Sequence, residues 1–343
     1  MKDLIETIQH NCNIADAQSA GNYTLCIYLL KMRELFRWEK QEDFDAALEN
    51  DAIGNWITER EQLWLDLEHQ DYQPLAIKGK TFLPFENDDI NKAILSDNLV
   101  YSGGLGQHET PHFFIAELIQ KTEVDDYRIY IAGKEFARDL TAPPAMSLGK
   151  NIFIRKESLK RMIWERLEEW RWKRGSGAMS KALEIYDFDN QLHQSLDEMT
   201  NHESDVLLHH EIGEILAGRH LGEGWHEMLY SLPRSAGEFM ARAVRDHLAD
   251  CTSTLPMLLN EKRHASLHFF FGNFNGMRRE IFPGLFQAYE QWQSEQNDEE
   301  LRDIIVQGQT HWHEQAHNIL EIYHSTPENC ASQIVEMINC NKL

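Results

Sequence analysis

The feature that most constrains the fold is a succession of helical patterns that begins near Arg155 and continues almost to the end of the chain. The first, KESLKRMIWERLEEWRWKR, has apolar residues three and four positions apart, as one face of an amphipathic helix requires. Gly175 and Gly177 predict its end. Further helices are expected over 178–186, 189–199, 203–217, 222–232, 235–251, 256–271, 276–294 with a break at Pro283, and 298–324. We therefore expect a helical bundle domain over 156–325 and a C-terminal tail over 326–343.

The first part of the chain, 1–155, has a mixed pattern. Apolar residues at helical spacing predict helices over 24–40 and 51–69. Beyond residue 70 Gly and Pro become frequent, and short runs of β-branched and aromatic residues predict strands at 81–83, 99–101, 127–131 and 151–155. The simplest account is an α+β domain in which a small antiparallel sheet packs on helices, so the whole chain is expected to be mainly α.

The segment 108–112 reads H-E-T-P-H and matches the letters H-E-x-x-H of zinc metalloproteases. That chemistry needs both histidines on one face of a continuous helix, and Pro111 would break a helix interior. The Thr-Pro pair predicts instead a helix that starts here and covers 112–120. His108 and Glu109 would then lie in the preceding loop, either hydrogen-bonded there or covering a neighbouring site.

Composition excludes several classes of partner. The formal charge of −23 disfavours nucleic acid and anionic lipid, both of which require a basic surface. The N-terminal MKDLIETIQHNCNIADAQ has neither the basic start nor the apolar core of a targeting segment, and no apolar run is long enough for a membrane span. Five cysteines without a C-x-x-C pair favour a reducing cytoplasm over a thiolate zinc site. A homo-oligomer remains possible on the sequence alone.

Nucleotide cofactors have no signature in the chain. Residues 103–106 read G-G-L-G, which lacks the G-x-G-x-x-G spacing between a strand and a helix that dinucleotide binding requires. There is also no Walker loop and no G-x-S-x-G nucleophile elbow.

Histidines concentrate around the stretch 201–250, interleaved with carboxylates. Seven of the 17 in the chain are His193, His202, His209, His210, His220, His226 and His247. On the helix predicted over 203–217, His210 and Glu214 lie four residues apart on the side opposite the apolar stripe, with Glu211 at the stripe's edge.

The two helices that follow repeat this arrangement. His247 falls in the middle of an apolar stripe with Asp250 beside it, and His268 lies on the next helix one turn after His264. A buried histidine or aspartate needs a partner, so these side chains either satisfy one another or bind a ligand.

Helical bundles that hold two metal ions project Glu and Glu-x-x-His pairs inward in a comparable way, although none of the six candidate ligands named below belongs to such a pair. Oxygen and imidazole ligands without thiolate suit Fe, Mn or Zn. The candidate metal ligands are therefore His210, Glu211, Glu214, His247, Asp250 and His268. The alternative interpretation is a satisfied polar network in the core.

Two resemblances accompany these patterns. The run LLHHEIGE around His210 is similar to the metal-binding helix of HD-domain phosphohydrolases, with Glu211 in place of the family's Asp and with Asp246 or Asp250 as the later aspartate. As a whole the chain resembles an uncharacterised bacterial family, through SGGLGQHETPHFF, ARDLTAPPAMSLGKNIFIRKESL and HHEIGE. That second resemblance implies no activity.

The function expected from the sequence is a metal-dependent enzyme, a hydrolase or an oxidase, with its site inside the helical bundle. Arginines cluster beside the candidate ligands and could bind a small acidic or phosphorylated substrate. They are Arg234, Arg242, Arg245, Arg263, Arg278 and Arg279. The alternative is a non-catalytic binding or interaction protein in which the same His, Glu and Asp side chains form a structural network and the arginines pair with acidic neighbours. The sequence assigns neither a catalytic residue nor a substrate.

Overall fold

The computed structural model describes residues 1–106, 110–173 and 175–343. The chain divides into two compact units, Met1–Trp164 and Glu165–Leu343. Within the described ranges, no helix combines the length and the apolar character of a membrane span.

Helices and two sheets make up the first unit. The helices are α1 Lys2–Ser19, α2 Leu25–Lys40, α3 Asn50–Leu67, α4 Asn87–Ile94 and the start of α5 Lys156–Lys173. The predictions over 24–40 and 51–69 are confirmed as α2 and α3. Helix α1 was not among the predicted ranges; it buries Leu4, Ile8 and Cys12 at helical spacing.

The strands form a two-stranded sheet and a five-stranded sheet. They are β1 Leu75–Ile77, β2 Lys80–Phe82, β3 Leu99–Leu105, β4 Pro111–Val124, β5 Tyr127–Arg138, β6 Ala145–Leu148 and β7 Asn151–Arg155. Strand β1 pairs antiparallel with β2, and the larger sheet has the order β3-β4-β5-β7-β6. Its pairs are antiparallel except for β5 with β7. The predicted mainly α fold with a sheet in the N-terminal half is confirmed.

One element of the first unit was predicted wrongly. The helix expected over 112–120 is the strand β4, which pairs along its length with β3 and β5. Pro111 is the first residue of the strand, a position where a missing N–H is tolerated. Pairing on both sides, together with burial of Phe113, Phe114 and Ile115, outweighs the local Thr-Pro helix signal.

The second unit is built from helices. They are α6 Ala178–Leu183, α7 Leu192–Leu221, α8 Gly224–Ser231, α9 Ala236–Ala249, α10 Leu255–Asn260, α11 His264–Asn273, α12 Gly276–Ile281, α13 Pro283–Glu295, α14 Glu299–Ser325 and α15 Cys330–Cys340. The predicted break at Pro283 is confirmed. The helices predicted over 189–199 and 203–217 are one 30-residue helix, α7. The helix predicted over 256–271 is two, because Lys262 adopts a left-handed conformation with φ 53°.

A π turn over Asp250–Thr254 joins α9 to α10. Pro256 follows in the first turn of α10. Proline has no N–H for the carbonyl four residues earlier and its ring collides with that carbonyl, so the wider turn accommodates it. The turn keeps the backbone helical while it directs Asp250 into the unit's interior, where that residue is 1% exposed.

Helices α7 and α9 pack so closely that their backbones are in contact at Gly213 and Ala249. A Cβ atom on Gly213 would lie 2.4 Å from the carbonyl oxygen of Ala249, so only glycine fits there. This contact places His210, one turn before Gly213, and Glu214, the residue after it, opposite the end of α9.

Candidate functional site

Three potential metal ligands converge between α7 and α9. His210, Glu214 and Asp246 each offer one ligand atom, and these atoms all lie within 4.8 Å of one another. His210 and Glu214 are one helical turn apart, with Nε2 of the imidazole 3.6 Å from Oε1 of the carboxylate. All three side chains are half-buried, so a ligand held among them would be partly shielded from water.

A hydrogen bond to Asp250 fixes the orientation of the His210 ring. Its Nδ1 is 2.8 Å from Oδ1 of Asp250. Because an ionised carboxylate only accepts hydrogen bonds, Nδ1 carries the proton and donates it to Asp250. In the neutral imidazole, Nε2 is then the lone-pair nitrogen, and it faces Glu214. Histidines that bind metals are held by a carboxylate in this way.

Two arginines balance the carboxylates. Nη2 of Arg245 lies 2.6 Å from Oε1 of Glu214 and 3.9 Å from Oδ1 of Asp246. On the other side, Nη2 of Arg278 donates to Oδ2 of Asp250. The centre is therefore a network of alternating charges rather than an isolated acidic cluster.

The network shifts the pKa values of its members in opposite directions. Burial alone would raise the pKa of Glu214, but Arg245 and His210 lower it to about 2. The pKa of Asp250 is also lowered, since Arg278 and His210 outweigh the effect of burial. Burial disfavours a charged His210, yet Asp250 and Glu214 raise its pKa well above 6.5. The network thus favours the protonated form of His210.

Asp246 behaves differently from the other carboxylates. Burial raises its pKa, and Arg278 and His210 offset this only in part. It borders a surface cleft of about 380 Å³, whose lining includes Phe239, Arg242, Asp246, Asn275, Met277 and Arg278. One member of the converging group is thereby open to a molecule in the cleft.

The six ligands predicted from the sequence do not all converge. His210 and Glu214 do, and Asp250 supports His210 without being part of the group. Glu211 is 7% exposed and is not in the group either. Asp246, which is not among the six predicted ligands, takes the third place.

His247 lies in an aromatic enclosure instead. Its Nε2 is 3.0 Å from the carbonyl oxygen of Arg278, and its ring stacks on Trp312 at a centroid distance of 5.0 Å. Burial and the charge of Arg278 lower its pKa to about 3, so the imidazole is neutral. Its hydrogen bond to the Arg278 backbone steadies the segment that carries the Arg278 guanidinium.

His268 is engaged in a separate pair on α11. Its Nδ1 is 2.7 Å from Oη of Tyr289, and its ring lies against Trp292 at 5.3 Å. Like His247, it is outside the group of converging ligand atoms found among the described residues.

The predicted loop pair His108 and Glu109 lies outside the described residues. Of the H-E-T-P-H segment, the described His112 is buried in β4 at 6% exposure.

Several of the clustered arginines pair with carboxylates. Besides Arg245 and Arg278, Arg242 contacts Glu238 at 2.6 Å and Arg263 contacts Asp205 at 2.9 Å. Arg242 and Arg278 also line the cleft, so both reach the surface that a small molecule would meet.

The sequence missed Asp246 because its position depends on the contact between Gly213 and Ala249 and on helix phase at the end of α9. A local signal does exist: His210, Glu214 and Asp246 all lie off the apolar stripes of their helices.

Comparison with known families gives two matches that together span most of the chain. Residues 3–155 match the N-terminal domain, and residues 160–341 the C-terminal domain, of a family of unknown function, DUF6866. Neither match supports the local similarity to HD-domain phosphohydrolases. No curated protein and no solved structure matches the chain. The chain belongs to the DUF6866 family.

Proposed function

We propose that the second unit is a metal-dependent enzyme, in which His210, Glu214 and Asp246 bind one divalent cation beside the cleft. The observation that carries this proposal is the hydrogen bond from His210 Nδ1 to Asp250, which leaves Nε2 facing Glu214 in a group that also includes Asp246. Metal-binding histidines are commonly held by a carboxylate at one ring nitrogen while the other nitrogen binds the metal.

The donor set indicates the class of metal. One imidazole nitrogen and two carboxylate oxygens suit Mn²⁺, Fe²⁺ or Zn²⁺. Three protein ligands leave coordination positions for water or substrate, as in catalytic rather than structural sites. Asp246 is the ligand that borders the cleft, so the open positions would be reached from that side.

The cleft indicates the class of substrate. Its volume of about 380 Å³ is at the lower end of the range for small-molecule sites. Arg242 and Arg278 line it, and guanidinium groups bind phosphate and carboxylate groups through paired N–H donors. A small acidic or phosphorylated molecule fits both its size and its charge.

Hydrolysis is the reaction that this arrangement supports best. A metal ion lowers the pKa of bound water and so supplies a nucleophile at neutral pH. Arg242 and Arg278 would bind the anionic group of the substrate and offset its repulsion by the carboxylate of Asp246. If the bound metal is iron, the same ligands would support oxidation with dioxygen instead.

The alternative is a non-catalytic protein in which the same residues form a structural network. The ion pairs Arg245–Glu214 and Arg278–Asp250 favour this alternative, because they satisfy both carboxylates without a metal. A protonated His210 would likewise neutralise these carboxylates without a metal.

Metal content separates the two functions. Untagged protein purified without chelator, and then reconstituted with Mn²⁺, Fe²⁺ or Zn²⁺, is analysed for bound metal as wild type, Asp246→Asn and His209→Ala. His209 lies next to His210 but contacts Ser253, so it is the matched control. Loss of one equivalent in Asp246→Asn alone supports the enzyme, and equal metal in all three proteins contradicts it.

A further inference from the structure

A second group of imidazoles lies in the same unit and shares no residue with the proposed site. His220 is in the last turn of α7, and His313 and His317 are one turn apart on α14. The ring centroids of His220 and His313 are 5.8 Å apart, and those of His313 and His317 are 4.6 Å apart. Two helices that are distant in sequence thus bring three imidazoles into one patch.

The sequence around this pair is unusual. Residues 313–317 read H-E-Q-A-H, so the letters H-E-x-x-H occur a second time in the chain. Here they lie inside α14, an uninterrupted 27-residue helix, and both histidines therefore face the same side. The segment 108–112 fails this requirement, since its last two residues belong to a strand. Two histidines in this spacing on a helix can bind one zinc ion.

The three side chains are available to a ligand. Within the described part of the chain, none of them makes a hydrogen bond or an ion pair, and their rings contact one another. His220 and His317 are exposed, and His313 is half-buried. Several other histidines of this unit do have polar partners, among them His210 with Asp250 and His268 with Tyr289.

The rings must rotate before their nitrogens can converge. They stand edge to face, with interplanar angles of 79° and 70°, and their nitrogens are not among the ligand groups that fall within 4.8 Å. Exposed side chains change rotamer within picoseconds to nanoseconds, so rotation about χ1 and χ2 can turn the His220 and His317 rings towards the half-buried His313.

We propose that His220, His313 and His317 bind a divalent transition metal through three imidazole nitrogens. Nitrogen ligands select Zn²⁺, Ni²⁺ or Cu²⁺ and disfavour Mg²⁺ and Ca²⁺, which prefer oxygen. Three histidines leave a further coordination position for water or a small ligand, as in catalytic zinc sites. This site shares no residue with His210, Glu214 and Asp246, and it does not depend on the function proposed for them.

Zinc titration by calorimetry tests the assignment. The proteins are wild type, His220→Ala, the double variant His313→Ala/His317→Ala, and His69→Ala, an exposed histidine of the first unit that serves as control. We expect the double variant to lose one zinc equivalent. In His220→Ala the affinity for that zinc should fall by more than the roughly 10–100-fold that removing a supporting group causes. His69→Ala should match wild type.

Repeating the titration in an Asp246→Asn background separates the two sites. The histidine site predicts that one equivalent persists there and disappears only when His313 and His317 are also replaced. Zinc binding by the double variant with wild-type number and affinity would overturn the assignment, and an unchanged His220→Ala would overturn the role of His220.

A spectroscopic measurement that keeps all three histidines covers the case in which a histidine variant fails to fold. Bound to the Asp246→Asn protein, one equivalent of Cu²⁺ should give an electron paramagnetic resonance spectrum with hyperfine splitting from three nitrogens. Coupling to one nitrogen or none would contradict the three-imidazole site.

Discussion

Asp250 and His210 form a hydrogen bond of 2.8 Å that joins the π turn to α7 and fixes which imidazole nitrogen faces Glu214. Asp250 is not itself one of the converging ligands, so its role would be to orient one.

Asp250→Asn therefore tests orientation without removing a ligand. We expect metal affinity at the proposed site to fall by roughly 10–100-fold, the usual effect of losing a group that supports a metal-binding histidine. Calorimetric titration with Mn²⁺ or Zn²⁺ measures the loss. Asp205→Asn, at the exposed carboxylate paired with Arg263, is the control and should bind like wild type. Equal affinities in both variants would contradict the role given to Asp250.

Metal binding should release a proton from His210. The pKa of this imidazole is raised well above 6.5 in the metal-free protein, chiefly by Asp250 against the effect of burial, so near pH 7 the metal must displace the proton from Nε2. Affinity should rise with pH until it passes the pKa of His210. Calorimetry in two buffers of different ionisation enthalpy counts the protons. A count of zero at pH 7 would show that His210 is not a ligand.

Acid should destabilise the second unit through Glu214. The pKa of this carboxylate is held at about 2 in the folded chain, mainly because Arg245 outweighs burial, against 4.5 as its ordinary value. Its contribution to stability is therefore present above about pH 4.5 and is lost as pH falls towards 2.

Glu214→Gln should remove this contribution, on the order of 3 kcal/mol at pH 7, and should flatten the loss of stability between pH 4.5 and pH 2. Urea unfolding at several pH values measures both effects. Glu169→Gln breaks the exposed pairs with Arg166 and Lys173 and should cost less than about 1 kcal/mol. A similar cost for both variants would contradict the structure of the network.

The backbone contact between Gly213 and Ala249 is the packing relationship that assembles the site. Gly213→Ala would place a methyl group 2.4 Å from a carbonyl oxygen, so we expect unfolding free energy to fall by about 1–3 kcal/mol and metal binding to weaken. Gly218→Ala on the same helix meets nothing within 4 Å and should be neutral or stabilising by up to about 1 kcal/mol. Thermal unfolding distinguishes them. The account would be contradicted if the two variants had the same stability.

How much the sequence predicts depends on the range of the interaction that decides each feature. The pairing of His210 with Glu214 follows from helical spacing alone. The burial of His247 follows from its position in an apolar stripe, yet its partner is a backbone carbonyl from α12, which no local pattern reveals. Asp246 reaches the site because α7 and α9 touch at Gly213, a contact between residues far apart in sequence.

The first unit shows the same limit. Helices α2 and α3 are visible in their apolar spacing. Strand β4 is not, because pairing with two neighbours overrides a local Thr-Pro signal for helix at Pro111. The second H-E-x-x-H segment, at His313, is visible in the sequence alone, but only the structure shows that His220 lies beside it.

Anomalous X-ray scattering from crystals of the Mn²⁺-loaded protein tests the central claim most directly. The account predicts a peak within roughly 2.0–2.2 Å of His210 Nε2 and of one carboxylate oxygen each from Glu214 and Asp246. Manganese prefers oxygen ligands, which the three histidines do not provide. The peak at His210, Glu214 and Asp246 should therefore dominate the map. Crystals that bind no manganese there, with the pairs Arg245–Glu214 and His210–Asp250 intact, would contradict the enzyme and leave the residues as a structural network.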